Sequence, residues 1–168
     1  MRVIDVYSVE HLLPFLHHLD KDMSLFSDIE QEKIAKAIAD AEQATSGEIR
    51  IAIDKRCESD PYEKAIEYFS KLDMDKTAQR NGVLIYLAHA DHKFAIIGDS
   101  GINKVVPADF WETTKVAMTA HFAKGNLADG IIAGVSLAGE KLALFFPYQP
   151  GDINELPNDI VYMDHKEN

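Results

Sequence analysis

Three short segments hold the residues best suited to chemistry: Ser46-Gly47-Glu48, Arg80-Asn81-Gly82 and Gly98-Asp99-Ser100-Gly101. A carboxylate in a glycine-rich loop offers hard oxygen ligands. Side-chain amide and backbone oxygens complete the kind of shell that Ca²⁺ or Mg²⁺ takes. Two carboxylates such as Glu48 and Asp99 on a partly buried edge repel by about 4 kcal/mol at about 4 Å and an effective dielectric near 20, and a divalent cation removes that cost. The competing arrangement is a salt bridge from Arg80 to Asp99 that holds the edge shut. Spacing alone leaves both open.

These residues meet only if the elements between them fold in one way. Val83 to Leu87 is a continuous apolar run too short for a typical helix, Phe94 to Ile97 is another, and His89-Ala90-Asp91-His92 supplies a polar turn between them. The pattern predicts an antiparallel hairpin, which sets the start of its first strand beside the end of its second. Arg80 and Asn81 then share a sheet edge with Gly98, Asp99 and Gly101. Glu48 to Asp54 alternates, with Ile49, Ile51 and Ile53 on one face and Glu48, Arg50 and Ala52 on the other, as in a strand. A helix from Asp60-Pro61 with Ala65, Ile66, Phe69 and Leu72 as its stripe joins this strand to Val83, so the two strands are expected parallel. If they are neighbours, Ser46-Gly47-Glu48 reaches the same edge.

The remaining helices have clear boundaries. Ser27-Asp28-Ile29-Glu30 fits a capping box ahead of Ile34, Ile38 and Ala41, and Gly47 stands where a left-handed stop is wanted. Pro107-Ala108-Asp109 opens a helix with Phe110, Trp111, Met118 and Phe122 inward, ended by Gly125. A last helix runs from about Leu127 to Phe145, where Gly130 and Gly134 point to close helix–sheet approach. Residues 1–26 read as an N-terminal extension with a short helix, residues 27–147 as one α/β domain, and residues 148–168 as a tail packing through Ile153, Leu156 and Ile160.

With 168 residues, Lys+Arg 17 and Asp+Glu 28, the net charge of -11 argues against nucleic acid or anionic lipid as partner. A single cysteine, Cys57, excludes an internal disulfide. No run approaches a membrane span, and acids interrupt what would be the apolar core of a signal peptide at the N-terminus, so a soluble cytoplasmic protein is expected. Asp73-Met74-Asp75-Lys76-Thr77 matches the nucleophile motif of haloacid-dehalogenase-type phosphatases, but it follows a helical pattern where that chemistry needs a strand. Gly98-Asp99-Ser100-Gly101 has the form of a trypsin-like nucleophile segment without a histidine base beside it. The clusters His17, His18, Asp20, Asp22 and His89, Asp91, His92 read as solvated turns before metal sites.

Thr45-Ser46-Gly47-Glu48-Ile49-Arg50, Lys76 through Tyr86, Lys93 through Ile102, Asp109-Phe110-Trp111, Phe122 with Gly125, and Phe146-Pro147 resemble the TPM domain, in its compact bacterial branch. The resemblance runs from about Ser27 to Pro147. It implies a three-layer α/β/α sandwich with a small mixed sheet, and divalent-cation binding, notably calcium, around Gly98 to Ile102, with Asp109 as the acid opening the next helix. One plant member is associated with acid phosphatase activity. Where relatives carry an acid after the glycine that ends that helix, this sequence has Asn126.

The expected ion ligands are therefore Asp99, Glu48, Asp109 and the Gly98 and Gly101 backbone. Arg80, Asn81 and Ser100 are the expected contacts to a phosphorylated small molecule or a protein partner. With no clear nucleophile or base, a cation-binding regulatory module is the first reading. A phosphomonoesterase using Asp99 and Arg80 is the second.

Overall fold

The computed structural model describes residues 7–8 and 25–164. In chain order these form β1 (Tyr7–Ser8), α1 (Asp28–Glu42), β2 (Glu48–Asp54), α2 (Pro61–Lys71), a 3-10 turn (Met74–Lys76), β3 (Gly82–Ala88), β4 (Lys93–Gly98), α3 (Ser100–Asn103), α4 (Phe110–Phe122), α5 (Leu127–Phe145) and β5 (Val161–Tyr162). The helix starts follow the sequence signals. Ser27 Oγ accepts from the Glu30 amide at 3.3 Å while Glu30 Oε2 accepts from the Ser27 amide at 2.9 Å, closing a capping box on α1. Asp60 Oδ1 accepts from the Tyr62 and Glu63 amides above α2, with Pro61 at the first helical position.

The sheet has the order β1-β4-β3-β2-β5. β2 and β3 pair in parallel, with Glu48 opposite Gly82 and Asp54 opposite Ala88. β3 and β4 form the antiparallel hairpin, Val83 opposite Gly98. Side chains alternate between two cores. Ile49, Ile51, Ile53, Val83, Ile85, Leu87, Phe94 and Ile96 meet α1, α4 and α5 on one face. Leu84, Tyr86, Ala95 and Ile97 meet Ala65, Tyr68 and Phe69 of α2 on the other. The expected α/β/α sandwich with a mixed sheet is what folds.

Several local expectations need correction. Gly47 is not a left-handed stop: α1 ends at Glu42, and the glycines with positive φ are Gly125 and Gly151. Gly47 instead leaves room for Leu142, whose Cδ2 would lie 2.9 Å from an added Cβ. Gly130 and Gly134 accommodate a helix rather than the sheet, since added Cβ atoms would meet Phe122 at 2.3 Å and Met118 at 2.5 Å on α4. Ile153 does not pack and is 78% exposed, whereas Leu156 and Ile160 do lie against the cores, joined by Tyr162 and Met163, and polar contacts described below add to this hold. Phe145, the last residue of α5, is exposed. The helix expected near residues 8–16 and the cluster His17, His18, Asp20, Asp22 lie outside the described residues.

Gly139 tests how tightly α1 and α5 cross. An added Cβ would stand 2.6 Å from Cβ of Ala41, an atom that moves only with its helix. Helix propensity favours alanine by about 1 kcal/mol, whereas overpacking costs about 1–3 kcal/mol. Gly139→Ala is therefore expected to lower stability by about 1 kcal/mol in urea unfolding, and a gain would show that the helices separate freely.

Candidate functional site

The hairpin register delivers Asp99 opposite the start of β3, where its amide donates to the Gly82 carbonyl at 3.0 Å. Its side chain is 1% exposed and accepts a two-pronged ion pair: Arg80 Nε to Oδ2 at 2.8 Å and Arg80 Nη2 to Oδ1 at 3.0 Å. Oδ1 also accepts from the Ser100 amide at 2.6 Å, which makes Asp99 the cap of α3. Fork-to-carboxylate pairing of this kind fixes direction as well as distance. The two partners differ in environment: the Asp99 side chain is enclosed, while that of Arg80 is 51% exposed.

Backbone geometry sets this pair. Arg80 adopts φ 53, a left-handed conformation that a residue with a Cβ takes up at a cost. Its carbonyl accepts from the Gly101 amide at 2.9 Å. A Cβ on Gly101 would lie 2.4 Å from the Gln79 carbonyl oxygen and 2.6 Å from that of Arg80, so only glycine lets the two loops touch. Gly98 is required for a different reason, since a Cβ there would meet Trp111 at 2.3 Å. Asn103 locks the loop from below, donating from Nδ2 to the Gly98 carbonyl at 2.8 Å and accepting from Trp111 Nε1 at 3.1 Å. Sequence reasoning placed Trp111 in the core and did not identify this clamp. The signal was a lone tryptophan eight residues after an asparagine, which has no meaning until the turn is known.

The other expected residues are distributed as follows. Asn81 is fully buried and ties loops together: its Nδ2 donates to Ser46 Oγ at 3.3 Å, its carbonyl accepts from the Glu48 amide at 3.3 Å, and Gln79 Nε2 reaches the same Ser46 Oγ at 2.9 Å. Ser46 therefore reaches the shared edge, but the Glu48 carboxylate does not join Asp99. Glu48 lies across β3 from it, two strand spacings or about 10 Å away. Its Oε1 accepts from the Glu155 amide at 2.7 Å, beneath the C-terminal segment. The repelling Glu48–Asp99 pair is thus absent, because β3, the antiparallel partner of the strand that leads into Asp99, intervenes. Asp109 is exposed at the start of α4 and caps nothing with its side chain. Among the described residues no cluster of three or more His, Cys, Asp or Glu side chains could hold a metal.

Two carboxylates elsewhere carry unusual charge. Burial pushes Glu42 and Glu48 each up to about 7, against the backbone amides of Ile49 and of Glu155 and Leu156, which favour their ionised forms. The Asp73 motif follows α2 and a left-handed turn, not a strand. Cys57 is buried, with its Sγ 3.2 Å from the Ser59 carbonyl. Asp91 of the hairpin turn accepts from the Cys57 amide at 2.6 Å and pairs with Arg56 at 3.1 Å.

A five-stranded mixed sheet between α1, α4 and α5 on one side and α2 on the other, with an Arg–Asp pair closing a glycine loop at its edge, defines a compact α/β/α sandwich domain. The model of the TPM domain matches residues 20–141, and the chain belongs to that family. The solution structure of BA42 from the psychrophile Bizionia argentinensis is similar at 45% identity and TM-score 0.79, covering 84% of this chain and 98% of that one. The N-terminal domain of cg2496 from Corynebacterium glutamicum is similar in fold, at 14% identity and TM-score 0.58, covering 70% and 74%. No curated protein matches the chain. Among the described residues no helix is long and apolar enough to cross a membrane.

Two substitutions separate what the loop requires. Gly101→Ala is expected to cost about 2 kcal/mol by forcing two backbone carbonyls apart. Arg80→Ala and Arg80→Gly both remove the ion pair, but glycine relieves the left-handed strain. The glycine variant should therefore melt above the alanine variant, and the reverse order would show that φ at residue 80 carries no cost.

Proposed function

We propose that the chain is a non-catalytic binding and regulatory module of the TPM type, in which a divalent cation, Ca²⁺ or Mg²⁺, competes with Arg80 for Asp99. The observation that carries this reading is the asymmetry of the pair: an enclosed carboxylate whose counter-charge is half exposed and opens toward solvent. The donor chemistry suits such an ion, with Asp99, Asp109 at the start of α4 and the Gly98–Gly101 backbone as the hard oxygens that would hold it. Glu48 is not among them. A bound ion would supply the charge that now comes from the guanidinium, freeing Arg80 for a protein partner or a phosphorylated molecule.

The second reading is a metal-dependent phosphomonoesterase, which draws on the same exposed fork. Its difficulty is the nucleophile: Asp99 is held by Arg80, and no base is hydrogen-bonded to the Ser100 hydroxyl among the described residues.

Thermal melts with CaCl₂ or MgCl₂ test the binding. At 100-fold over its dissociation constant the ion should add about 2.7 kcal/mol. Asp99→Ala should erase that gain, whereas Arg80→Ala should tighten binding by removing the competitor. Equal weakening in both variants would make Arg80 a support rather than a rival. Hydrolysis of p-nitrophenyl phosphate that is lost in Asp99→Ala and Arg80→Ala would establish the enzyme instead.

A further inference from the structure

The segment after α5 crosses the open side of β2, seating Leu156, Ile160, Tyr162 and Met163 on the cores and setting acid against acid between them. Tyr148 donates its amide to the Ala44 carbonyl at 3.1 Å, and the Glu155 amide then reaches Glu48 Oε1. β5 pairs in parallel with β2 through Val161 and Tyr162. The Met163 amide donates to the Ile53 carbonyl at 2.8 Å, and Asp164 accepts from the Lys55 amide. The described part of this arm carries Asp152, Glu155, Asp159 and Asp164 and no lysine or arginine.

The surface beneath is also acidic, and buried. Glu42 from the end of α1 faces Glu48, Arg50 and Asn158 of the arm. Glu48, 3% exposed, faces Glu155, the Leu156 amide and Arg50, and its Oε2 has no hydrogen-bond partner. Arg50 stands among Asp159, Glu48 and Glu42, one base against three acids. At the far end Asp54, 2% exposed, accepts from Tyr68 and Tyr86 at 2.7 and 2.9 Å, its Oδ1 has no hydrogen-bond partner among the described residues, and the Asp164 carboxylate faces it. Lys64 lies near Asp54, and Lys55 and His89 near Asp164. Between arm and body a cavity of about 330 Å³ is lined by Glu42, Thr45, Glu48, Asp152, Asn154 and Asn158.

We propose that residues 148–164 form a proton-gated strap over the β2 edge, docked while Glu42, Glu48 and Asp54 face it protonated and released as they ionise. Release uncovers the cavity and the free backbone groups of β2. Burial under the arm raises all three groups above their ordinary range, Glu42 and Glu48 to about 7. A group raised in the docked state stabilises docking fully below its ordinary value, near 4.5 for Glu, and that stabilisation is lost as pH climbs through about 7. For the two glutamates acting together, the docking constant falls about a hundredfold from pH 6 to pH 8.

Hydrogen-exchange protection factors of the full chain at pH 6 and 8 test this. The Glu155 and Met163 amides should lose about a hundredfold in protection relative to intrinsic rates. The Ile85 amide in the central strand should hold, which separates release of the arm from unfolding. Glu42→Gln with Glu48→Gln keeps acceptors in place without the titration, and should leave most of the arm's protection intact at pH 8; adding Asp54→Asn should flatten what remains. Equal protection of the wild-type arm at both pH values overturns the proposal, as does a double variant that loses protection just as the wild type does.

Discussion

The two-pronged pairing of Arg80 with Asp99 is the interaction on which the rest of the sheet edge depends. An aspartate this enclosed is stable only where its charge is met, and the cost of leaving it unmatched exceeds what most surface contacts supply. Its partner reaches it only through a backbone turned into the left-handed region, and that turn closes only because Gly101 has no side chain. Asn103 and Trp111 then lock the far side of the loop. Strain, close approach and charge are thus stored at one place, where the hairpin returns beside the start of its own first strand.

The opposite side of the sheet solves a different problem. The polar face of β2 carries Glu48, Arg50 and Asp54, all buried, in a strand whose other face is entirely isoleucine. Charges are rarely interior without close partners. Here the partners are tyrosine hydroxyls, an arm amide and a single arginine, which leaves the row short of positive charge. Protons on Glu42, Glu48 and Asp54, as proposed above, would make up the difference. The two sides of β3 therefore sit in contrasting electrostatic regimes, a matched ion pair at the β4 side and under-matched acids along β2 beneath the arm.

The fold was legible because periodicity and caps agreed. Ile49, Ile51 and Ile53 against Val83 to Leu87 fix two strands, Asp60-Pro61 fixes the helix between them, and the polar His89–His92 turn fixes the hairpin. The meeting of Arg80 with Asp99 followed from that topology alone. What stayed hidden depends on lateral distance. Alternation says which face Glu48 occupies, but not that a whole strand separates it from Asp99 or that a tail without clear periodicity will cover it. The glycines of α5 announced close approach, but the neighbour they pointed to was the sheet, and it proves to be α4. Glu42 gave no signal, because a glutamate near a helix end is ordinary until the chain beyond residue 147 folds back over it.

The three long strands, β2, β3 and β4, are all interior to the sheet, and each outer position is taken by a pair of residues, Tyr7–Ser8 on one side and Val161–Tyr162 on the other. Unpaired ladders of any length invite other chains to add on, and very short borders deny them a template. The apolar runs at the centre, Val83 to Leu87 above all, are of the kind that stack into fibrils when bared. Two short strands thus cover the sheet's borders, and removing either would leave the long strand behind it as an open template.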